Sequence, residues 1–208
     1  MKNELNPIER VYLTFYNSKK KTMYFNEIRE KAKMSISSLQ NVLLRMDKSK
    51  EIIKNKEKSN TFYSLKSKEK ITLNFTKFDI QKLDSLNIDI KIPLKSFLEQ
   101  INNISFITLF GSASRGEEKK DSDIDLLIAL NHFENNRLNE LYQKEIKEQI
   151  EQIKRKVNAK SLHPLSIVLI NEKDYKDRKD YLLDEAKKTG FCIYNHELYY
   201  KETLNNEN

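Results

Sequence analysis

The sequence predicts two domains of different class: a basic, mainly helical amino-terminal domain, then an α/β domain in which strand and helix patterns alternate. Three observations lead there. The chain has 208 residues, enough for one large domain or two small ones that bury roughly 70% of the unfolded chain's surface. Charge is divided unevenly: residues 1–70 hold 17 basic and 8 acidic side chains, a balance of +9, whereas residues 71–208 hold 21 and 23, a balance of −2. Finally, helical periodicity dominates the first third, and strands recur only in the remainder and in one short hairpin.

Composition removes several classes. Apolar residues make up 38% of the chain, with ten Phe and ten Tyr, which fills a core and argues against disorder, while 33% charged residues exceed the average of about 25%. The longest unbroken apolar run, Leu126–Leu130, is far below the ~20 residues of a membrane-spanning helix, and the start lacks an apolar signal core. A soluble, cytoplasmic protein with no membrane partner is expected. Cys192 is the single cysteine, so no internal disulfide can form; its apolar surroundings, Phe191 to Tyr194, suggest a buried core residue. His132, His163 and His196 are not spaced as a ligand cluster, so no zinc site is expected.

The elements of the first domain follow in order. Ile8, Val11, Tyr12, Phe15 and Tyr16 keep a helical period behind Pro7, which suits a first turn, and this helix ends near Asn17. Phe25, Ile28 and Ala32 mark a short second helix. Ser35 is placed to cap a third, which turns Leu39, Val42, Leu43 and Met46 inward. Ile52–Lys56 and Thr61–Leu65 alternate as two strands around the polar tip Glu57-Lys58-Ser59-Asn60. Three helices and a hairpin resemble the winged helix-turn-helix family of DNA-binding domains. That resemblance implies double-stranded DNA as a partner, with the third helix offering Ser37, Ser38, Gln40, Asn41 and Arg45 to the major groove and Lys54, Lys56 and Lys58 serving phosphates from the wing. Winged helices also serve as protein-interaction modules. Domain limits of 1–70, a connector at 71–92 and 93–208 are expected. Ile71–Phe78 alternates as a strand might, or forms a packed connector.

In the second domain Pro93 is read as opening a helix that carries Leu94, Phe97, Leu98 and Ile101. Ile104–Phe110 reads as a buried strand running into Gly111-Ser112-Ala113-Ser114-Arg115-Gly116. The chain has only 3 glycines, where average usage would give roughly 15, and two lie here, as if a Cβ were excluded. Asp121-Ser122-Asp123-Ile124-Asp125 opens the next strand. Side chains at i and i+2 share a face, so Asp123 and Asp125 aim together. Two adjacent carboxylates need a cation, and hard oxygen ligands suit magnesium. A helix marked by Leu138, Leu141, Tyr142, Ile146, Ile150 and Ile153 follows, then a strand Leu165–Ile170, a helix Tyr175–Lys188, and Gly190 as a stop. The tail after Leu204 is expected to fray.

The order of strand, Gly111-Ser112 turn, spacer and Asp123-Ile124-Asp125 resembles the DNA polymerase β-like nucleotidyltransferases, in their minimal branch, over roughly residues 93–195. The resemblance implies a mixed sheet with helices packed against it and an NTP substrate whose phosphates lie on Gly111 and Ser112. One or two Mg²⁺ would be held by Asp123 and Asp125, the expected catalytic pair. Arg115 either adds charge near the triphosphate or anchors the turn by a salt bridge. An acceptor hydroxyl on a protein, nucleic acid or small molecule would receive a nucleoside monophosphate such as AMP. Family members of this branch often act as antitoxins that modify a partner toxin. A third carboxylate, usual on a later strand, is replaced by Ser166; His163 and Glu172 flank that strand and are candidates to substitute for it. The alternative is a DNA-binding transcriptional regulator whose second domain binds nucleotide or a partner without efficient turnover. The sequence specifies neither the acceptor nor the oligomeric state.

Overall fold

The computed structural model describes residues 5–57, 60–178 and 180–204, with the side chains of residues 176 and 177 left undescribed. Contacts divide the chain into two units, Met1–Phe78 and Asp79–Asn208.

In the first unit, helix α1 (Pro7–Ser18) starts from a capping box: Asn6 accepts from the Ile8 and Glu9 N–H groups, and Glu9 reaches back to the Asn6 N–H. This satisfies donors that the first turn leaves without intrahelical partners. Strand β1 (Thr22–Tyr24) leads into α2 (Phe25–Ala32), and α3 (Ile36–Lys48) is capped by Ser35 through the Ser38 N–H. Strands β2 (Ile52–Glu57) and β3 (Asn60–Leu65) form an antiparallel hairpin, and β1 adds to β3 to give the sheet order β1-β3-β2. The core joins Val11, Tyr12, Phe15 and Tyr16 with Ile28, Leu39, Val42, Leu43 and Met46, all buried. The Arg10 guanidinium donates to the Ala32 and Lys33 carbonyls, closing the carboxyl end of α2. Strand β1 escapes the sequence because three residues are too few for a period of two to register.

The stretch Ile71–Phe78 is not a strand. It lies within α4 (Lys68–Ser85), which continues from the first unit into the second. Ile71 and Phe78 are buried and Leu73 is 65% exposed, so the alternation of Ile71, Leu73 and Phe75 is incidental and the seven-residue spacing governs. Helix α5 (Ile88–Leu98) begins before Pro93, from an Asn87 cap, and holds the proline inside. The lost bond would have gone to the Asp89 carbonyl, and Asp89 is exposed, so water can serve that group.

The second unit is built on a four-stranded mixed sheet of order β6-β5-β4-β7, with β4 (Phe106–Phe110) antiparallel to β5 (Ile124–Leu130) and β7 (Phe191–Tyr194), and β6 (Leu165–Asn171) parallel to β5. The parallel pair is joined through α7 (Asn136–Asn158), the long crossover such a pairing demands. Ile107, Leu109, Leu126 and Ile128 face α5 and α7, where Leu94, Phe97, Ile146, Ile150 and Ile153 complete the main core. The other face packs Phe106 edge-on against Tyr175 and Tyr199. Because both faces are covered, β4 is buried throughout and shows no alternation. Leu138 and Leu141, expected inside, are 57% and 53% exposed, since the first turns of α7 lie outside the core.

The helix expected over Tyr175–Lys188 is two. Helix α8 (Asp174–Asp177) ends as Arg178 turns extended, and α9 (Tyr181–Thr189) restarts from Asp180, whose carboxylate accepts from the Leu183 N–H. An aspartate that caps a new helix competes with continuation of the old one. The last element among the described residues is α10 (His196–Leu204), whose Tyr200 hydroxyl donates to the fully buried Asp79 at 2.5 Å. Cys192 is buried. Among the described residues no helix is long and apolar enough to cross a membrane.

Candidate active site

Strand β4 delivers the chain to Gly111, which opens the five-residue helix α6 (Gly111–Arg115) with φ of 69°. Two constraints fall on this position. Its φ lies in the left-handed region, and a Cβ added there would run into the Asp125 carboxylate, with Cγ at 3.1 Å and the Asp125 Cβ at 3.3 Å. The glycine therefore provides the space that Asp125 occupies. Gly116, at φ 68°, caps the other end of α6 and meets nothing within 4 Å. Ser114 ties the turn down: its hydroxyl donates to the Gly111 carbonyl at 2.8 Å and lies 3.4 Å from the Thr189 carbonyl.

Asp125 is the second residue of β5, in register with Phe110 on one side and Ser166 on the other. Asp123, two residues earlier and on the same side of the chain, is exposed just before the strand, while Asp125 is half-buried. Burial raises the Asp125 carboxyl above its ordinary value of 3.8; a hydrogen bond with Ser166 opposes this, the negative charges of Asp123 and Glu185 reinforce it, and Arg115 lowers it.

Ser166, expected from the sequence to replace a third carboxylate, is in register with Asp125. Glu172 lies away from that position. It follows Asn171, which pairs with Leu130 at the far end of β5, and its carboxylate accepts from the His132 N–H. The acid that does approach is Glu185 of α9, which acts on Asp125 through its charge and pairs with Arg115 Nη1 at 3.4 Å. No sequence signal singles out Glu185, because its position depends on α9 docking against the turn. Gly190, which follows that helix, carries a trace of the docking: a Cβ there would meet the Ala186 carbonyl and, at 2.7 Å, the Thr108 methyl. Its φ of −74° is ordinary, so close packing and not a left-handed stop explains this glycine.

Arg115 is held by salt bridges to Glu117 at 2.7 Å and Glu185 at 3.4 Å. A cavity of about 490 Å³ beside it is lined by Lys82, Asn87, Ser114, Gly116 and Glu118. His163 is buried, and its Nδ1 lies 2.8 Å from the Ser122 carbonyl. Among the described residues no group of three or more His, Cys, Asp or Glu is arranged to hold a metal ion.

In the first unit, Ser37, Gln40, Asn41 and Arg45 are exposed on α3, and Ser38 is half-buried with its N–H accepted by Ser35. Lys54 and Lys56 are exposed on one side of β2; Lys58 lies outside the described residues. Gln40, Asn41, Lys54 and the exposed Leu44 line a groove of about 540 Å³.

No curated protein matches the chain. Residues 91–189, which carry the Gly111 turn, both aspartates and Ser166, match the family model described as nucleotidyltransferase domain, so it is to nucleotidyltransferase domains that this part of the chain is similar.

Proposed function

We propose that the second unit transfers a nucleoside monophosphate from an NTP, with ATP the first donor to test, to a hydroxyl acceptor. The observation that carries this reading is the Asp123–Asp125 pair set against a turn whose glycine gives the carboxylate its room. The backbone N–H groups that open α6 lack intrahelical partners and suit phosphate oxygens. Arg115 adds positive charge beside them once released from its glutamates. Half-buried Asp125, beside the negative charge of exposed Asp123, forms with it a pair that fits Mg²⁺, which binds through one or two carboxylates and substrate phosphates; Asp123 and Asp125 would hold it. When bound, it supplies charge stabilisation at the phosphoryl oxygens. In the transfer the hydroxyl oxygen bonds to the α-phosphorus as the α–β phosphoanhydride bond breaks and pyrophosphate leaves, and the acceptor's proton passes to solvent water. Incubation with α-labelled ATP, Mg²⁺ and candidate acceptors tests the reading: label should transfer and should vanish in Asp123→Asn with Asp125→Asn. Transfer that persists in that double variant refutes it.

The first unit serves this domain, in the same proposal, as a DNA-binding winged helix. Its order of elements, the +9 balance of residues 1–70, and the exposed Gln40, Asn41 and Arg45 with Lys54 and Lys56 on β2 support that reading. Gln and Asn suit bidentate contacts to adenine, and lysines suit phosphates. Ser166 in register with Asp125 favours a second reading, a transcriptional regulator whose nucleotide-binding unit turns over poorly. Under it, DNA binding is steeply salt-dependent and nucleotide binds without label transfer.

A further inference from the structure

We infer that His163 is the positioning residue for Asp123, the strut that fixes where the exposed carboxylate of the pair stands. The inference rests on the nucleotidyltransferase reading and adds to it a residue outside the metal-binding pair. Asp123 precedes β5 and so lacks the ladder that fixes Asp125. Its backbone is held from both sides by a neighbouring loop instead. The carbonyl of Ser122 lies 2.8 Å from His163 Nδ1, and the N–H of Ile124 donates to the Pro164 carbonyl at 2.8 Å. A carbonyl can only accept, so Nδ1 carries the proton.

The strut is itself braced. His163 is 7% exposed. The Ser161 hydroxyl accepts from the His163 N–H at 3.1 Å and donates to its carbonyl at 2.5 Å. The next residue but one, Leu165, donates its N–H to Asn158 Oδ1 at 2.8 Å, which ties the loop to the end of α7. On the other side, Ser122 closes a turn with Lys119: its N–H donates to the Lys119 carbonyl at 2.9 Å and its hydroxyl accepts from the Lys119 N–H at 2.8 Å. A buried imidazole aimed at a backbone carbonyl, one residue from a proposed metal ligand, restricts the ligand's travel without touching the metal. Partners bonded to the ligating groups themselves are worth about tenfold to a hundredfold in metal affinity, and a brace on the adjacent peptide belongs at the lower end of that range.

The test is Mn²⁺ affinity of the full chain in the presence of a non-hydrolysable ATP analogue, read from the electron paramagnetic resonance signal of free Mn²⁺. His163→Asn places an amide N–H where Nδ1 stood and should bind close to wild type. His163→Leu keeps the bulk and removes the donor, and should weaken Mn²⁺ by about tenfold. Ser161→Ala loosens His163 without altering it and should fall between. Should His163→Leu not fold, Ser161→Ala and His163→Gln, whose amide lies one bond too far out, carry the comparison with His163→Asn. Equal Mn²⁺ affinity across the series, with binding still lost in Asp123→Asn, overturns the role of His163 and leaves the nucleotidyltransferase reading standing. Absence of Mn²⁺ binding in the wild type, or binding indifferent to Asp123→Asn, overturns that reading and the inference together.

Discussion

Alanine in place of Gly111 and of Gly116 imposes the same backbone strain in two different surroundings, and the difference measures how closely Asp125 is seated. Both glycines sit at nearly the same left-handed φ, 69° and 68°, where an L side chain costs roughly 1–2 kcal/mol. At Gly116 a Cβ meets nothing within 4 Å, so Gly116→Ala should cost about 1–2 kcal/mol and no more. At Gly111 the Cβ collides with the Asp125 carboxylate, which adds about 1–3 kcal/mol of overpacking and brings the total to roughly 2–5 kcal/mol. Equilibrium urea unfolding reads both: with a slope near 2 kcal/mol per molar, the midpoint should fall by about 0.5–1 M for Gly116→Ala and by about 1–2.5 M for Gly111→Ala. Introducing Asp125→Ala removes the obstructing Cγ and oxygens, so in that background the cost of Gly111→Ala should shrink toward that of Gly116→Ala. The cycle then gives a coupling of about 1–3 kcal/mol. Equal costs at the two glycines, or a coupling near zero, would refute the seating of Asp125 over the turn.

Other outcomes follow from the same geometry. Since the Asp125 carboxyl is raised above 3.8, the folded state binds its proton more tightly than the unfolded chain; that stability is full below 3.8 and is lost as pH rises through the raised value. Asp125→Asn should therefore be more stable than wild type at neutral pH, with the advantage fading as pH falls through the raised value and gone below 3.8, as read by thermal melts without divalent ions. Lys33 caps α2 at φ 52°, so Lys33→Gly should stabilise by about 1 kcal/mol in urea titrations. Tyr200→Phe deletes a hydrogen bond to the fully buried Asp79 and should cost about 1–3 kcal/mol by the same measurement. Lys54→Ala and Lys56→Ala should each weaken duplex DNA uniformly across sequences and flatten the log–log salt slope by about one unit in anisotropy titrations; unchanged slopes count against phosphate contact.

Local chemistry made much of this legible beforehand. Pro7 and Ser35 announced helix starts, and the long apolar stripe of Ile146, Ile150 and Ile153 announced α7, because capping and amphipathicity are written within one turn or two. The turn and carboxylate pair were legible for a similar reason: glycine is scarce in this chain, and two aspartates opening an apolar strand contradict strand propensity. What sequence missed depends on contacts between distant segments. Glu185 approaches Asp125 only after α9 docks, and the His163 bond to Ser122 joins residues far apart in the chain. Ile71–Phe78 misled because three apolar residues at alternate positions also fit a helix in which the middle one, Leu73, faces out. Asp180 broke an expected helix because a capping side chain can end one helix as readily as it starts another.

The strand order also governs when the sheet can be finished. Strand β4 can pair with β5 as soon as both exist, but its other edge waits for β7, where Ile107 meets Tyr194 and Leu109 meets Phe191. During synthesis, which proceeds at roughly 5–20 residues per second, a fully buried strand therefore stands with one unpaired edge until Phe191–Tyr194 has emerged. Closing that edge requires joining ends of a long loop, an entropic cost met before any contact rewards it. Chains interrupted before Phe191 would expose Phe106–Phe110 to pairing with one another, which makes the last strand the element that protects the nascent protein from aggregation.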